Sequence, residues 1–239
     1  MKIEVLFPEV CNLYGDIFNI KYLKQCIEGA EFIETSLTDE PKFINEDVKM
    51  VYMGPMSESM QLTVIKKLLP YKEKIKELIK NGTVFLFTGN SMEVLENYIE
   101  DEDGSKYQGL GIIDLYAKRD MMHRFNSLFL GILKDNDLKI MGYKATFSFS
   151  YGNNESNYAF KSIKGIGINK ESNLEGIRIN NFFGTYLIGP ILVINPEFTK
   201  YILKLIGVEK PKLAFEKEAD ECYKIRLSEF EKDSTNYLQ

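Results

Sequence analysis

The stretch Thr83-Val84-Phe85-Leu86-Phe87 is apolar almost without interruption, and it runs directly into Thr88-Gly89-Asn90-Ser91. A short strand with no polar face belongs inside a parallel sheet covered on both sides. The small residues that follow predict a sharp turn into a helix. Such a turn lifts one side chain and several free amides out at the carboxyl edge of the sheet, where open α/β sheets bind ligands. Asn90 and Glu93, three residues apart, are placed to form a capping box at the helix start. Taken alone, Gly89-Asn90 reads more simply as a tight connection, because short motifs of this kind recur by chance.

The rest of the first half sets this strand in an alternating series. Strands are expected at Ile3–Phe7, Phe32–Leu37 and Val48–Met53, the last ending at Gly54-Pro55. Helices are expected over Ile17–Ala30, Ser57–Leu69 and Tyr71–Lys80, with a break at Pro70 and a stop at Asn81-Gly82. Strand–helix alternation implies a parallel sheet with right-handed crossovers. The second half is strand-rich. Runs at Gly111–Lys118, Ser127–Leu133, Lys139–Phe149, Phe160–Ile168 and Glu175–Val193 are separated by turns such as Lys134-Asp135-Asn136-Asp137 and Gly152-Asn153-Asn154-Glu155. Two helices close the chain, Pro196–Leu205 and Lys212–Lys232, the second with Phe215, Ala219, Cys222 and Phe230 along one side. With no repeat and no low-complexity linker, the reading is one α/β domain over residues 1–239. Its mostly parallel central sheet is flanked by helices and carries an additional strand-rich second half.

Composition narrows the chemistry. A net charge of -5 and a pI near 5.2 argue against nucleic acid as a partner. No apolar run approaches the roughly 18 uncharged residues of a membrane span. Three widely spaced cysteines, Cys11, Cys26 and Cys222, suit a reducing cytoplasm better than a disulfide framework. Without a Cys-x-x-Cys pair, and with His123 as the single imidazole, no metal site and no cofactor is expected. The same scarcity argues against cysteine–histidine catalysis. Cys11 follows the first strand and reads as buried and structural. His123 sits in the basic segment Lys118-Arg119-Asp120-Met121-Met122-His123-Arg124 and reads as a solvated loop residue. Asp16 and Glu58 could meet a ligand, though surface carboxylates are common.

Several separated segments carry a resemblance. Asn12-Leu13-Tyr14-Gly15-Asp16 follows the first strand, Tyr52-Met53-Gly54-Pro55-Met56-Ser57 follows the third, and Glu175-Gly176-Ile177-Arg178 precedes Phe183-Gly184-Thr185-Tyr186-Leu187-Ile188-Gly189-Pro190. Together with the turn at Thr88 they resemble the class I glutamine amidotransferase-like proteins of the cobyric acid synthase (CobB/CobQ) type, over nearly the whole chain. The resemblance implies a flavodoxin-like class I glutamine amidotransferase fold. It also implies that Thr88 stands where the family carries its nucleophilic cysteine, and Ile188 where it carries a histidine. The family's Gly-Gly-Gly-Gln-like loop is here Gly54-Pro55-Met56-Ser57, and its aromatic-Glu-Asn-His stretch is Tyr143-Lys144-Ala145-Thr146. Arg124 matches a family arginine that meets the substrate glutamine. Gly54, Pro55, Gly89, Asn90, Arg124 and Tyr186 would outline the vestigial pocket.

Amide hydrolysis needs a nucleophile for the carbon and a proton donor for departing ammonia. Thiolate serves near neutral pH, whereas an internal threonine hydroxyl is hard to ionise and isoleucine moves no proton. Losing either partner of such a unit can remove most of the acceleration, on the order of 10⁶-fold in one protease. The expectation is therefore a degenerate subunit without glutaminase activity. The resemblance gives it a Mur-ligase-like partner and leaves a pocket for a small molecule. The alternative is an active amidotransferase that releases ammonia for a cell-wall precursor or related acid, through Thr88 or a relocated cysteine. If the matching is right, Thr88 lies at a sharp turn with Ile188 at the end of a neighbouring strand.

Overall fold

In the computed structural model, which describes residues 1–238, the first half alternates as its periodicity requires. The elements are β1 (Lys2–Leu6), α1 (Phe18–Cys26), β2 (Glu31–Thr35), β3 (Val48–Met53), α2 (Glu58–Leu68), α3 (Lys72–Lys80) and β4 (Val84–Thr88). A single turn of 3-10 helix at Leu69–Tyr71 holds Pro70 and separates α2 from α3. The second half contributes β5 (Tyr98–Glu100), β6 (Lys106–Gln108), β7 (Tyr116–Arg119), β8 (Phe125–Leu133), β9 (Lys139–Thr146), β10 (Ser148–Tyr151) and β11 (Phe160–Lys164). Then come β12 (Leu174–Glu175), β13 (Ile177–Ile179), β14 (Phe182–Thr185), α4 (Ile191–Ile194), α5 (Pro196–Leu205) and α6 (Glu216–Glu231).

Six strands form the central sheet in the order β13-β14-β4-β3-β1-β2. All neighbours run parallel except β13 and β14, which are antiparallel. Because side chains alternate across a strand, β4 sends Phe85 and Phe87 to one face and Val84 and Leu86 to the other. The first face is covered by Val64, Ile65 and Leu68 of α2 with Ile75 and Ile79 of α3. The second is covered by Ile20 and Leu23 of α1 and by Phe198, Ile202 and Leu203 of α5. Every residue of β4 is buried, as a strand without a polar face must be. Two four-stranded sheets, β10-β7-β5-β6 and β12-β11-β8-β9, account for the strand-rich half.

Several boundaries differ from the sequence reading. The run Glu175–Val193 is broken by Gly176 and Asn180, both at positive φ, and ends in the short helix α4. Lys139–Phe149 is two strands that meet at Phe147, and Phe160–Ile168 stops before Gly165, whose φ is +91°. The strand read at Gly111–Lys118 is confined to Tyr116–Arg119, and β5 and β6 had no periodicity long enough to register. Helix α1 ends at Cys26, where Ile27 turns extended ahead of Gly29. On α6 no side chain is buried, and Phe215 is 70% exposed rather than part of a packed stripe. No helix among the described residues is long and apolar enough to cross a membrane, and those residues hold no cluster of three or more potential metal ligands.

Candidate functional site

The pairing of β14 with β4 places Thr185 opposite Thr88 at the carboxyl edge of the sheet. Beyond Thr88 the chain turns at Gly89, whose φ of +61° favours glycine. A Cβ there would lie 2.6 Å from Pro55 Cβ, so the turn rests directly on the loop that follows β3. Residues Gly89–Leu95 continue as 3-10 helix. The expected capping box does not form. Asn90 Oδ1 instead accepts from the Met56 amide at 3.0 Å and its Nδ2 donates to Met56 O at 2.8 Å, while the Glu93 carboxylate turns inward to Gln61, Ser148 and Tyr186. Two long-range partners outcompete the local cap.

Thr88 is fully buried, and its hydroxyl donates to Asp16 Oδ2. The Tyr52 hydroxyl donates to the same oxygen at 2.7 Å, and Asn19 Nδ2 reaches the Asp16 carbonyl at 3.0 Å. Asp16 is thus no surface carboxylate, contrary to the commoner expectation. Burial pushes its carboxyl above the ordinary aspartate range, against the pull of the Thr88 and Tyr52 hydroxyls, and Oδ1 has no partner among the described residues. Ile188 is buried three residues past β14, where its amide and carbonyl bridge Tyr143 at 2.9 and 3.1 Å. It presents no ionisable group.

The space beside the turn is nearly filled. Tyr14, Pro55, Met56, Glu58, Asn90 and Thr146 enclose about 10 Å³, and Thr88 is not among the walls. That volume suits about one water, whereas small-molecule sites commonly measure about 300–1,000 Å³. Two amide positions of the loop after β3 are closed to an oxyanion as well. Pro55 has no N–H, and the Met56 N–H is taken by Asn90. Cys11 is buried with its thiol against Met56 Sδ, and desolvation together with the Glu9 charge raises it far from thiolate formation. His123 is exposed and bonded to Asp120 at 2.9 Å, lining a different cleft.

Of the sequence-derived pocket residues, Pro55 and Asn90 line the small cavity, and Gly54 and Gly89 sit in the two loops that close it. Arg124 does not line it; its guanidinium lies 5.1 Å from the Tyr14 ring, at the outer side. Tyr186 is buried deeper, its hydroxyl 2.8 Å from Glu93 Oε1 and 2.7 Å from Ser150 Oγ. Around it lies a polar network that sequence reasoning missed. Burial raises Glu93, and burial with the Glu93 charge raises Glu96 further. The Arg119 guanidinium joins through Gln61 at 2.7 Å. The Lys144 ammonium, fully buried, pairs with Glu175, which also accepts from Thr185 Oγ1 at 2.9 Å and the Tyr186 amide at 2.8 Å. Two acids in the otherwise apolar Met92–Glu96 stretch were the available signal.

Comparison with known proteins fixes the lineage of this edge. The family profile of the CobB/CobQ-like glutamine amidotransferase domain matches residues 2–195. The chain belongs to that family. The Staphylococcus aureus (strain N315) protein named lipid II isoglutaminyl synthase (glutamine-hydrolyzing) subunit GatD is 30% identical over 236 residues, covering 94% of this chain and 92% of that one. Its Streptococcus pneumoniae (strain ATCC BAA-255 / R6) namesake is 26% identical over 201 residues, covering 82% and 76%. Among solved structures, PurLQS from Thermotoga maritima superposes with a TM-score of 0.55 at 15% identity over 95% of this chain and 98% of that one. A structure titled glutamine amidotransferase gives 0.57 at 14% identity over 86% and 99%. These likenesses establish the class I glutamine amidotransferase fold.

Proposed function

We propose that residues 1–239 form one GatD-like domain that has lost glutamine hydrolysis and serves in the cytoplasm as the binding partner of a Mur-ligase-like subunit. The observation that carries the reading is the closed edge at Thr88. Its hydroxyl is committed to a buried Asp16, the adjoining cavity holds about 10 Å³, and in the facing loop Pro55 has no N–H while Asn90 takes the Met56 amide. Each feature alone would slow acyl transfer. Acid–base help is typically worth about 10²–10⁴-fold, and an oxyanion donor about 10²–10³-fold. The partner assignment rests on the GatD relatives, which are named as subunits of a lipid II isoglutaminyl synthase.

The test is ammonia release from glutamine by the purified protein, alone and with a co-expressed Mur-ligase-like subunit. The expected result is no release above background and a stable complex by size-exclusion chromatography. The double variant Thr88→Cys, Ile188→His is expected to stay inactive, because neither change opens the cavity. Release by the unaltered protein that Thr88→Ala or Cys11→Ala abolishes would overturn the reading.

A further inference from the structure

The sheet β10-β7-β5-β6 turns one face inward, where Ile99, Ala117 and Ser150 are fully buried, and carries a row of tyrosines on the other. Antiparallel pairing sets Tyr151 of β10 opposite Tyr116 of β7, and the parallel register of β5 with β7 brings Tyr98 level with Tyr116. The three rings stack, with centroids 5.0 and 5.8 Å apart and interplanar angles of 17° and 26°. One end of the row is covered: the Lys106 ammonium stands 4.5 Å from the Tyr98 ring and pairs with Glu100 at 3.4 Å. The other end is open. Strand β10 is the edge of its sheet, and among the described residues Tyr151 stacks on no ring but Tyr116.

A groove of about 680 Å³ lies at that end, walled by Tyr116 and Tyr151 with Asn153, Glu155, Glu171 and Asn173. Its polar walls are anchored from behind. The Ser150 amide donates to Ile168 O at 3.2 Å and Asn169 Nδ2 donates to Ser150 O at 2.8 Å, which ties the 169–173 wall to β10. Asn154 Nδ2 holds the 152–155 turn to Gly176 O at 3.1 Å. Glu155, Glu171 and Asn173 are exposed, and among the described residues neither acid has a cation within ion-pair distance. No lysine or arginine lines the groove, so an anion finds no counter-charge there, and walls this polar do not suit an acyl chain. Lys118, 5.9 Å from the Tyr151 ring, is paired with Glu100 at 3.4 Å.

We propose that this groove binds a neutral saccharide of one or two rings, which lays its C–H face on Tyr151 and gives its hydroxyls to Glu155, Glu171 and Asn173. The face of an aromatic ring is negative and attracts polarised C–H bonds. Carboxylates accept from hydroxyls, and a side-chain amide both donates and accepts, so the free groups match a ring of hydroxyls. The volume lies within the usual range for small-molecule sites. The site stands at the Tyr116–Tyr151 end of the β7–β10 pair, away from the Arg119–Ser148 end, and does not depend on the reading of Thr88.

Saturation-transfer NMR titrations with methyl β-glucoside and with cellobiose test the proposal, with glycerol as a polyol that has no ring face. Both sugars are expected to bind saturably, with Kd on the order of 1 mM. Tyr151→Ala should weaken them about tenfold, whereas Tyr151→Phe, which keeps the ring plane, should not. Glu171→Gln should weaken them about fivefold, and Lys217→Ala, an exposed change on α6, should leave them unchanged. Glu171 is exposed, so its variant should fold even if the tyrosine row tolerates no alanine, and circular dichroism checks both. Absence of saturation with both sugars, glycerol binding as tightly as either, or affinities untouched by both Tyr151→Ala and Glu171→Gln would overturn the site.

Discussion

The edge at Thr88 and the cleft at Lys118–Arg124 share Thr146 as a wall, yet they treat charge in opposite ways. Beneath the sealed edge the charged side chains are buried and held from within: Asp16 by Thr88 and Tyr52, Glu93 by Gln61, Ser148 and Tyr186, Lys144 by Glu175. In the open cleft Lys170 and Arg124 are exposed and meet only rings. Charge inside a sealed region acts on folding, because an unpaired partner has no water to turn to. Charge at an open surface acts on what arrives from solution. The contrast predicts that substitutions at the sealed edge cost much stability and those in the open cleft little.

The largest effect should come from Lys144. Lys144→Ala leaves Glu175 buried without its cation, and removing one partner of such a pair costs about 3–5 kcal/mol. Lys144→Met with Glu175→Gln should recover most of the loss, since no charge then remains to be desolvated. Urea unfolding of the three proteins reads this directly. A loss below about 1 kcal/mol for the single variant would mean water reaches the pair, and the edge would not be sealed.

Next in size is Thr88. Thr88→Val keeps the shape and deletes a donor to a carboxylate that already has one unpartnered oxygen. The expected cost is about 1–3 kcal/mol. An unaltered unfolding midpoint would show the hydroxyl free, and with it the strongest structural reason for discounting Thr88 as a nucleophile would go.

What was legible from sequence divides along the same line. The turn at Thr88 and the order of strands up to it could be read because their signals are local: a five-residue apolar run, a glycine at positive φ, a proline between two helices. The burial of Asp16 could not, because Thr88 and Tyr52, which make it tolerable, stand 72 and 36 positions away. The closing of the cavity depends on Pro55 meeting Gly89, and the loss of the capping box on Asn90 reaching Met56, both contacts across the sheet. The basic segment 118–124 was visible, but the residues completing its cleft, Phe149 and Lys170, arrive through strand pairing and a later turn. Strand pairing in the second half lacked signal because β5, β6 and β12 are two or three residues long.

A third effect depends on pH. Burial and the Glu93 charge hold the Glu96 carboxyl well above its ordinary range, with only Ser150 donating to it. An acid raised in the fold binds its proton where the unfolded chain has already released one. Its contribution is therefore complete below the ordinary glutamate value and is lost as pH climbs through the folded value. Glu96→Gln removes that loss, so the variant should gain stability relative to the unaltered protein as pH rises from 5 to 8. A difference in stability that stays constant across that span would place Glu96 in contact with solvent.

The smallest expected change is the most useful for the comparison. Lys170 lies exposed over two rings and has no carboxylate within ion-pair distance among the described residues. Its removal forfeits only a solvent-screened cation–π contact, worth about 0.5–1 kcal/mol at most exposed sites. Lys170→Ala should thus unfold within about 0.5 kcal/mol of the parent, as surface changes usually do. Lys144 and Lys170 are the same side chain, one buried in an ion pair and one exposed on rings, and thermal or urea unfolding should separate them by several-fold in free energy. If Lys170→Ala proved as costly as Lys144→Ala, the cleft would be part of the packed interior. Its cations would then hold the strand-rich half together through the rings they cover.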